Sequence, residues 1–217
     1  MESLNKNLVI LDHPLVKTYL TRIRNKDTSH FEFREFVDRL SMLLAYEASK
    51  ELSLRPKKVF TPLAPYSGYE LKQEVILLPI LRAGLGLMNG FYQIFPEARV
   101  SHLGVYRNEE TLKPVRYYFK FPKLKSKNDA IVFILDPMLA TGGSMCYAIE
   151  ELSKHGIKKI VVASIVSAPE GLKEVFTNHK NVKVYTCSLD QKLNNKGYIM
   201  PGLGDAGDRL FGTLYIS

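Results

Sequence analysis

Apolar positions along the chain fall into two textures. Short continuous runs, Val75-Ile76-Leu77-Leu78 within residues 74–81 and Ala130-Ile131-Val132-Phe133-Ile134-Leu135, read as strands buried on both faces. Other stretches carry the helical period. Phe33, Phe36, Val37, Leu40, Leu43 and Leu44 share one helix face, opened by Ser29 and Glu32 as a capping box. Before them Asp12 caps a helix that starts at Pro14 and carries Leu15, Tyr19 and Ile23. The same pattern predicts helices over residues 84–95, 143–155 and from Pro169-Glu170 onward, and strands over residues 100–107, 160–166 and 182–188. Val115, Tyr117, Phe119 and Phe121 alternate as in a two-sided strand, after a charged, exposed connection over residues 108–114. Residues 59–64 read as a short strand that Pro62 and Pro65 confine to an edge.

Strands alternating with helices predict an α/β fold, a mostly parallel central sheet flanked by helices. No repeat or linker divides the chain, so residues 1–217 form one domain, with N-terminal helices over 12–52. From Asp190 onward the pattern breaks. Five of the chain's 14 glycines fall there, which predicts an irregular binding lobe over about 190–212.

Parallel sheets bind ligands beyond the carboxyl ends of their strands. Two segments sit at such ends. Asp136-Pro137-Met138-Leu139-Ala140-Thr141-Gly142-Gly143-Ser144 joins a buried strand to a helix. A helix N-terminus offers unpaired N–H groups and partial positive charge, and glycine lets a phosphate approach the backbone. The acid upstream suits hydroxyls or a metal, so the pairing points to a sugar phosphate. Neither Gly-Lys-Ser/Thr nor the dinucleotide fingerprint Gly-x-Gly-x-x-Gly is present here. The second segment, Leu81-Arg82-Ala83-Gly84, places a guanidinium fork where it can hold phosphate or pyrophosphate, or where it simply precedes a helix at the surface. A third, Gly197-Tyr198-Ile199-Met200-Pro201-Gly202-Leu203-Gly204-Asp205-Ala206-Gly207-Asp208-Arg209, exposes backbone donors and acceptors suited to a flat polar heterocycle, or closes the C-terminus as a plain loop.

Composition changes this picture little. With 46% hydrophobic and 24% charged residues the chain is an ordinary globular protein. The net charge of +8 fits nucleic acid or a small anion, and its scattered basic residues favour the anion. The five histidines have no metal-ligand spacing, and Cys146 and Cys187 read as buried small apolar residues in a reducing compartment. No apolar run reaches the ~20 residues that span a bilayer, and residues 1–7 lack a signal-peptide core, so a cytoplasmic location is expected.

Together the three segments, with Gly104-Val105-Tyr106-Arg107 and Glu110-Thr111-Leu112-Lys113-Pro114, resemble the uracil phosphoribosyltransferases over nearly the whole chain. The Asp136–Ser144 segment alone indicates only a type I phosphoribosyltransferase; the C-terminal segment selects uracil. The resemblance implies the type I fold with a hairpin flap over about 105–123 and an irregular C-terminal base-binding lobe. It implies pyrimidine salvage by a pentosyltransferase: 5-phosphoribosyl 1-pyrophosphate (PRPP) and uracil give uridine monophosphate (UMP) and pyrophosphate. Ala140, Thr141, Gly142, Gly143 and Ser144 would hold the 5-phosphate, after Pro137, Met138 and Leu139. Asp136 would meet the ribose hydroxyls, and Arg82 and Arg107 the pyrophosphate. Ile199, Gly204, Asp205 and Ala206 would read uracil largely through backbone groups. Arg82, Asp136 and Asp205 are the implied catalytic residues, with Mg2+ carried mainly by PRPP and no protein metal cluster. Many type I enzymes have two adjacent acids where this chain has Asp136-Pro137, so Asp205 is expected to supply part of the missing carboxylate function. A homodimer or homotetramer and a guanosine triphosphate (GTP) effector are further expectations. Neither nucleic acid nor a membrane is an expected partner. An RNA-binding regulator on the same scaffold and a purine or orotate transferase stand as alternatives, both disfavoured by the C-terminal segment.

Overall fold

A computed structural model describes residues 6–107 and 114–213. In chain order the elements are β1 (Leu8–Ile10), α1 (Pro14–Arg24), α2 (His30–Ala48), β2 (Leu54–Phe60), β3 (Pro65–Leu71), β4 (Glu74–Leu81), α3 (Met88–Ile94), β5 (Arg99–Val100), β6 (His102–Arg107), β7 (Pro114–Lys120), β8 (Ala130–Leu135), β9 (Met138–Leu139), α4 (Gly143–Lys154), β10 (Lys159–Ser167), α5 (Pro169–Asn178), β11 (Lys183–Leu189), β12 (Lys192–Leu193), β13 (Ile199–Met200) and α6 (Ala206–Phe211).

The central sheet runs β1-β11-β10-β8-β4-β6-β7. Its pairs are parallel except for the β6–β7 hairpin. All six residues of β8 are buried, as their unbroken apolar run requires of a strand covered on both faces. One face packs against α1, α2 and α3 through Ile23, Phe33, Leu40, Leu44 and Phe91. The other packs against α4 and α5 through Ile149, Leu152, Leu172 and Val175. The α/β architecture expected from the alternating pattern is the one observed. Register matters for the site: Pro79 pairs with Leu135, the last residue of β8, so β4 runs on to Leu81 past the end of β8, and Arg82 and Asp136 emerge at the same edge.

Several boundaries differ from the sequence reading. His13, not Asp12, caps α1, its Nδ1 accepting from the Leu15 N–H at 3.2 Å, while Asp12 pairs with Lys17 at 2.5 Å. The expected helix over 84–95 begins as a 3-10 turn, Ala83–Leu87, and becomes α-helical only at Met88. Gly84 is pressed against the end of β8, where an added Cβ would lie 2.3 Å from the Leu135 carbonyl oxygen. The strand over 100–107 is broken at Ser101, whose N–H donates to Leu77 and whose hydroxyl donates to Lys120. Ser29 does cap α2, accepting from the Glu32 N–H, but the Glu32 carboxylate meets the Ser29 hydroxyl instead of a backbone N–H. The largest correction concerns residues 59–64. Only Val59 and Phe60 are in a strand; Thr61–Ala64 is a turn closed by the Thr61 N–H on the Ala64 carbonyl. The strand is β2, paired antiparallel with β3 in an exposed two-stranded hairpin that, among the described residues, is separate from the central sheet.

Candidate active site

The loop over residues 136–144 is built by sheet and helix together. After β8, Asp136 and Pro137 lead into β9, which pairs with β10. The Pro137 carbonyl accepts from Ile165 and Val166, and the Leu139 carbonyl accepts from Ala168. The Pro137 and Leu139 side chains are buried, so these two residues anchor the loop from beneath. Gly142 then turns the chain at φ +87, a left-handed conformation favouring glycine, and α4 starts without a side-chain cap. Its first N–H groups therefore lack an intrahelical or capping partner, the condition that lets a helix N-terminus take an anion. Asp136, Met138, Ala140, Thr141, Gly142 and Ser144 line a hollow of about 110 Å³ there.

Helix α5 packs directly under this loop. A Cβ at Gly171 would lie 2.3 Å from the Ala140 carbonyl oxygen, and one at Gly142 would lie 2.9 Å from the Gly171 carbonyl oxygen. Sequence reasoning missed Gly171. Its signal, a glycine in the first turn of a helix, is ambiguous until the helix is placed against the loop.

The Asp136 carboxyl is crowded by protein at the mouth of the hollow. Burial pushes its pKa up to about 7, only partly offset by the Met138 N–H that donates to Oδ1 at 3.3 Å. A carboxyl poised there can accept from ribose hydroxyls in its charged form or exchange a proton at neutral pH.

Arg82 follows β4 and is exposed. Its guanidinium lies 3.5 Å from Asp208. Asp208 in turn donates its N–H to the Asp205 carboxylate, which caps α6, at 2.9 Å. A Cβ at Gly86 would strike Leu210, and one at Gly207 would come within 3.9 Å of Ala83. Gly197 similarly faces Thr141 at 3.8 Å. The fold thus brings all three segments singled out in the sequence to one edge of the sheet. Within the C-terminal lobe Ile199 and Ala206 are buried, while Gly204 and Asp205 are exposed. The lobe is a β12–β13 hairpin plus a short helix, tied to α5 by the Leu193 N–H donating to Glu170 at 3.0 Å. Arg107 ends β6, and its side chain lies outside the described residues, as does the 108–113 part of the expected flap. The described part of that hairpin docks on α4, where Arg116 pairs with the buried Glu151 at 2.5 Å.

Sequence reasoning also missed Arg24 and Asp190. Arg24 grips the Asp190 carboxylate with two nitrogens at 2.8 and 2.6 Å, and Asp190 accepts from the Gly202 N–H at 2.9 Å. Nothing local marks either residue, because the partners are 166 positions apart.

A mostly parallel sheet flanked by helices is the fold of solved type I phosphoribosyltransferases. The adenine phosphoribosyltransferase of Trypanosoma brucei, solved with AMP, pyrophosphate and ribose-5-phosphate, shares the fold with a TM-score of 0.58 at 16% identity, over 92% of this chain and 88% of that one. The family model for uracil phosphoribosyltransferase matches residues 9–213, and the chain belongs to that family. The uracil phosphoribosyltransferase of Ureaplasma parvum serovar 3 is 51% identical over 94% of this chain and 98% of its own. The AQ2163 protein of Aquifex aeolicus superposes with a TM-score of 0.89 at 43% identity, covering 96% of this chain and all of that one.

Proposed function

We propose that the three loops at the carboxyl edge of the sheet carry out transfer of the phosphoribosyl group from PRPP to N1 of uracil, giving UMP and pyrophosphate. The observation that carries this reading is the convergence of Arg82, Asp136 and the Ile199–Ala206 lobe at one edge. In the reaction the ribose C1–oxygen bond to pyrophosphate breaks, the C1–N1 bond forms and the N1 proton leaves. Little nucleophilic help from the protein is needed; positioning and charge carry the rate. The donors of Thr141, Gly142, Gly143 and Ser144 hold the 5-phosphate. Asp136 holds the ribose hydroxyls. Arg82, released from Asp208, and Arg107 neutralise the departing pyrophosphate. Ile199, Gly204, Asp205 and Ala206 meet the base.

Among the described residues no three His, Cys, Asp or Glu side chains converge on a metal site. Mg2+ would be carried mainly by the phosphates of PRPP, with Asp205 near the ribose or the ion. When bound with PRPP it supplies positive charge to the leaving group.

The working state we propose is a homodimer or larger homo-oligomer in the cytoplasm. The β2–β3 hairpin supports it: Phe60 is 85% exposed, Leu63 97% and Tyr69 68%, an apolar surface that suits a second copy. No helix among the described residues is long and apolar enough to cross a membrane. GTP acts on the protein as an effector. The test is pyrophosphate release from PRPP with uracil, cytosine, hypoxanthine, adenine and orotate, with and without Mg2+ and GTP, beside light scattering for size. Release with uracil alone supports the reading; release with another base and not uracil overturns it.

A further inference from the structure

The base lobe is held by two arginines that arrive from opposite directions and grip consecutive carbonyls. Arg24, at the end of α1, donates to the Gly202 carbonyl at 2.7 Å while its fork is fixed on Asp190 and its Nη2 donates to Ser188 at 3.0 Å. Arg209, on α6, donates to the next carbonyl, Leu203, at 2.9 Å. The same guanidinium continues to the Ile23 carbonyl and, at 2.6 Å, to the Asn25 carbonyl at the end of α1, where carbonyls lack intrahelical partners. It lies over the Phe33 ring, 4.4 Å from the centroid.

Arg209 is an unusual residue to bury. It is 8% exposed, and no carboxylate among the described residues pairs with it. Arg24, by contrast, is neutralised by Asp190. A desolvated cation held by neutral carbonyls is costly, and packing alone is achieved more cheaply by Leu or Met. Peptide geometry shows what the arrangement accomplishes. In a trans peptide the C=O and the following N–H point opposite ways. Drawing the Leu203 carbonyl inward therefore turns the Gly204 N–H outward, to the exposed side of the lobe. The hydrogen bond on the carbonyl also polarises that peptide and strengthens its N–H as a donor. The stem of Arg209 passes behind Gly204, its Cδ 3.6 Å from where a Cβ would be. Gly202, at φ +61, has no room for a side chain, because a Cβ there would meet the Ile199 carbonyl oxygen at 2.1 Å.

We propose that Arg209, braced against Arg24 through α1, is a positioning residue for pyrimidine recognition, aiming and polarising the Gly204 N–H at a carbonyl oxygen of the base. Helix α1 is then the floor of the base site, although it lies at the other end of the chain. This rests on the uracil reading above and deepens it. A base with an amino group in place of that oxygen offers a donor to a donor and is rejected.

The test compares Arg209→Met and Arg209→Lys with the unaltered protein by steady-state kinetics and thermal unfolding. Arg209→Met should raise KM for uracil at least tenfold and leave KM for PRPP within twofold. Arg209→Lys keeps the charge but cannot span three carbonyls, so its uracil KM should fall between. An unchanged uracil KM, or both KM values rising together with a lowered Tm, overturns the proposal. If Arg209→Met fails to fold, the same split in Arg209→Lys decides. Absence of UMP formation by the unaltered protein refutes the underlying reading, whereas an active protein without the split refutes only this inference.

Discussion

The phosphate loop and the base lobe lie side by side, yet they are held by different means. Residues 136–144 are contiguous, pinned by backbone bonds to the neighbouring strand β10 and by the start of α5. The C-terminal lobe has backbone bonds of its own in the β12–β13 hairpin, and one from Asp190 to Ser167, but long-range side chains hold it to the rest of the molecule. Its shape depends on charged side chains reaching 166 to 186 positions along the chain, from Arg24 to Asp190 and from Arg209 to Ile23. The comparison teaches that the 136–144 loop is shaped by local backbone and the C-terminal lobe by the whole tertiary structure, so under the proposed function phosphate binding is local and base recognition long-range. The phosphate loop should therefore tolerate side-chain changes that the lobe does not, and the lobe should fail first when long-range ion pairs are broken.

Asp190→Ala is the largest expected break in that comparison. It leaves Arg24 half-buried without its partner, and removing one member of such a pair typically costs about 3–5 kcal/mol. Urea unfolding should show the loss, and uracil KM should rise more than PRPP KM. Burial alone would raise the Asp190 carboxyl, but its bonds from Arg24 and Ser188 outweigh burial and hold its pKa below the ordinary value. Its contribution is thus present at neutral pH and fades as the solution is acidified, so the difference from the unaltered protein should shrink in acid. Equal rises in both KM values would show that lobe and loop are one mechanical unit.

Asp136→Asn tests the loop from the electrostatic side. The folded pKa of about 7 stands above the ordinary 3.8, so between those values the folded protein holds a proton that the unfolded chain has lost. Stability therefore falls as pH rises from about 4 to 7 and stays low above. Asparagine removes the penalty. The variant should be stabilised at pH 8 by at most about 4 kcal/mol, and at pH 5 by about 1–2 kcal/mol. Its kcat/KM for PRPP should drop about 10–100-fold, the value of a hydrogen bond to a charged group. A variant destabilised at pH 8 would show that the carboxylate is favourable where it lies.

Much of this arrangement is legible in the order of residues alone. The unbroken apolar runs identify β4 and β8 because a strand covered on both faces has no room for alternation, and the acid or arginine that follows marks the edge where ligands bind. Thr141-Gly142-Gly143-Ser144 is legible because the left-handed turn at Gly142 demands glycine. The β2–β3 hairpin escapes such a reading because β2 is exposed throughout and its apolar residues, Leu54, Val59 and Phe60, form neither an alternating nor a continuous apolar pattern. β1 escapes it because three residues are too few to show a period. Arg24 and Arg209 look like surface arginines in sequence; only the fold reveals that α1 ends against the C-terminal lobe.

Gly171→Ala is the mirror of Asp190→Ala. The new Cβ would sit 2.3 Å from the Ala140 carbonyl oxygen and 3.0 Å from that of Leu139, both backbone atoms, so α5 must move off the loop. Overpacking of this kind costs about 1–3 kcal/mol. PRPP KM should rise about tenfold with uracil KM within twofold, the opposite split from the lobe variants. A uracil effect would pass through Glu170, which α5 extends to the Leu193 N–H.

The smallest effect sharpens which side the β6–β7 hairpin serves. Helix α4 begins in the phosphate loop and ends beside β7, where the buried Glu151 takes Arg116 at 2.5 Å and Lys154 at 2.8 Å. The bond from Lys154 holds the Glu151 carboxyl below its ordinary pKa despite burial, so it stays charged at neutral pH. Both cations are well exposed, which limits the pair to about 0–1 kcal/mol, and the Phe119 and Phe121 rings keep β7 packed around His155 at 5.0 and 5.7 Å regardless. Glu151→Gln should leave the Tm nearly unchanged and raise PRPP KM about two- to threefold, most clearly at low ionic strength, where screening is weak. Uracil KM should not move. If it moves instead of PRPP KM, the hairpin serves the base lobe, and the division between a local phosphate side and a long-range base side must be redrawn through α4.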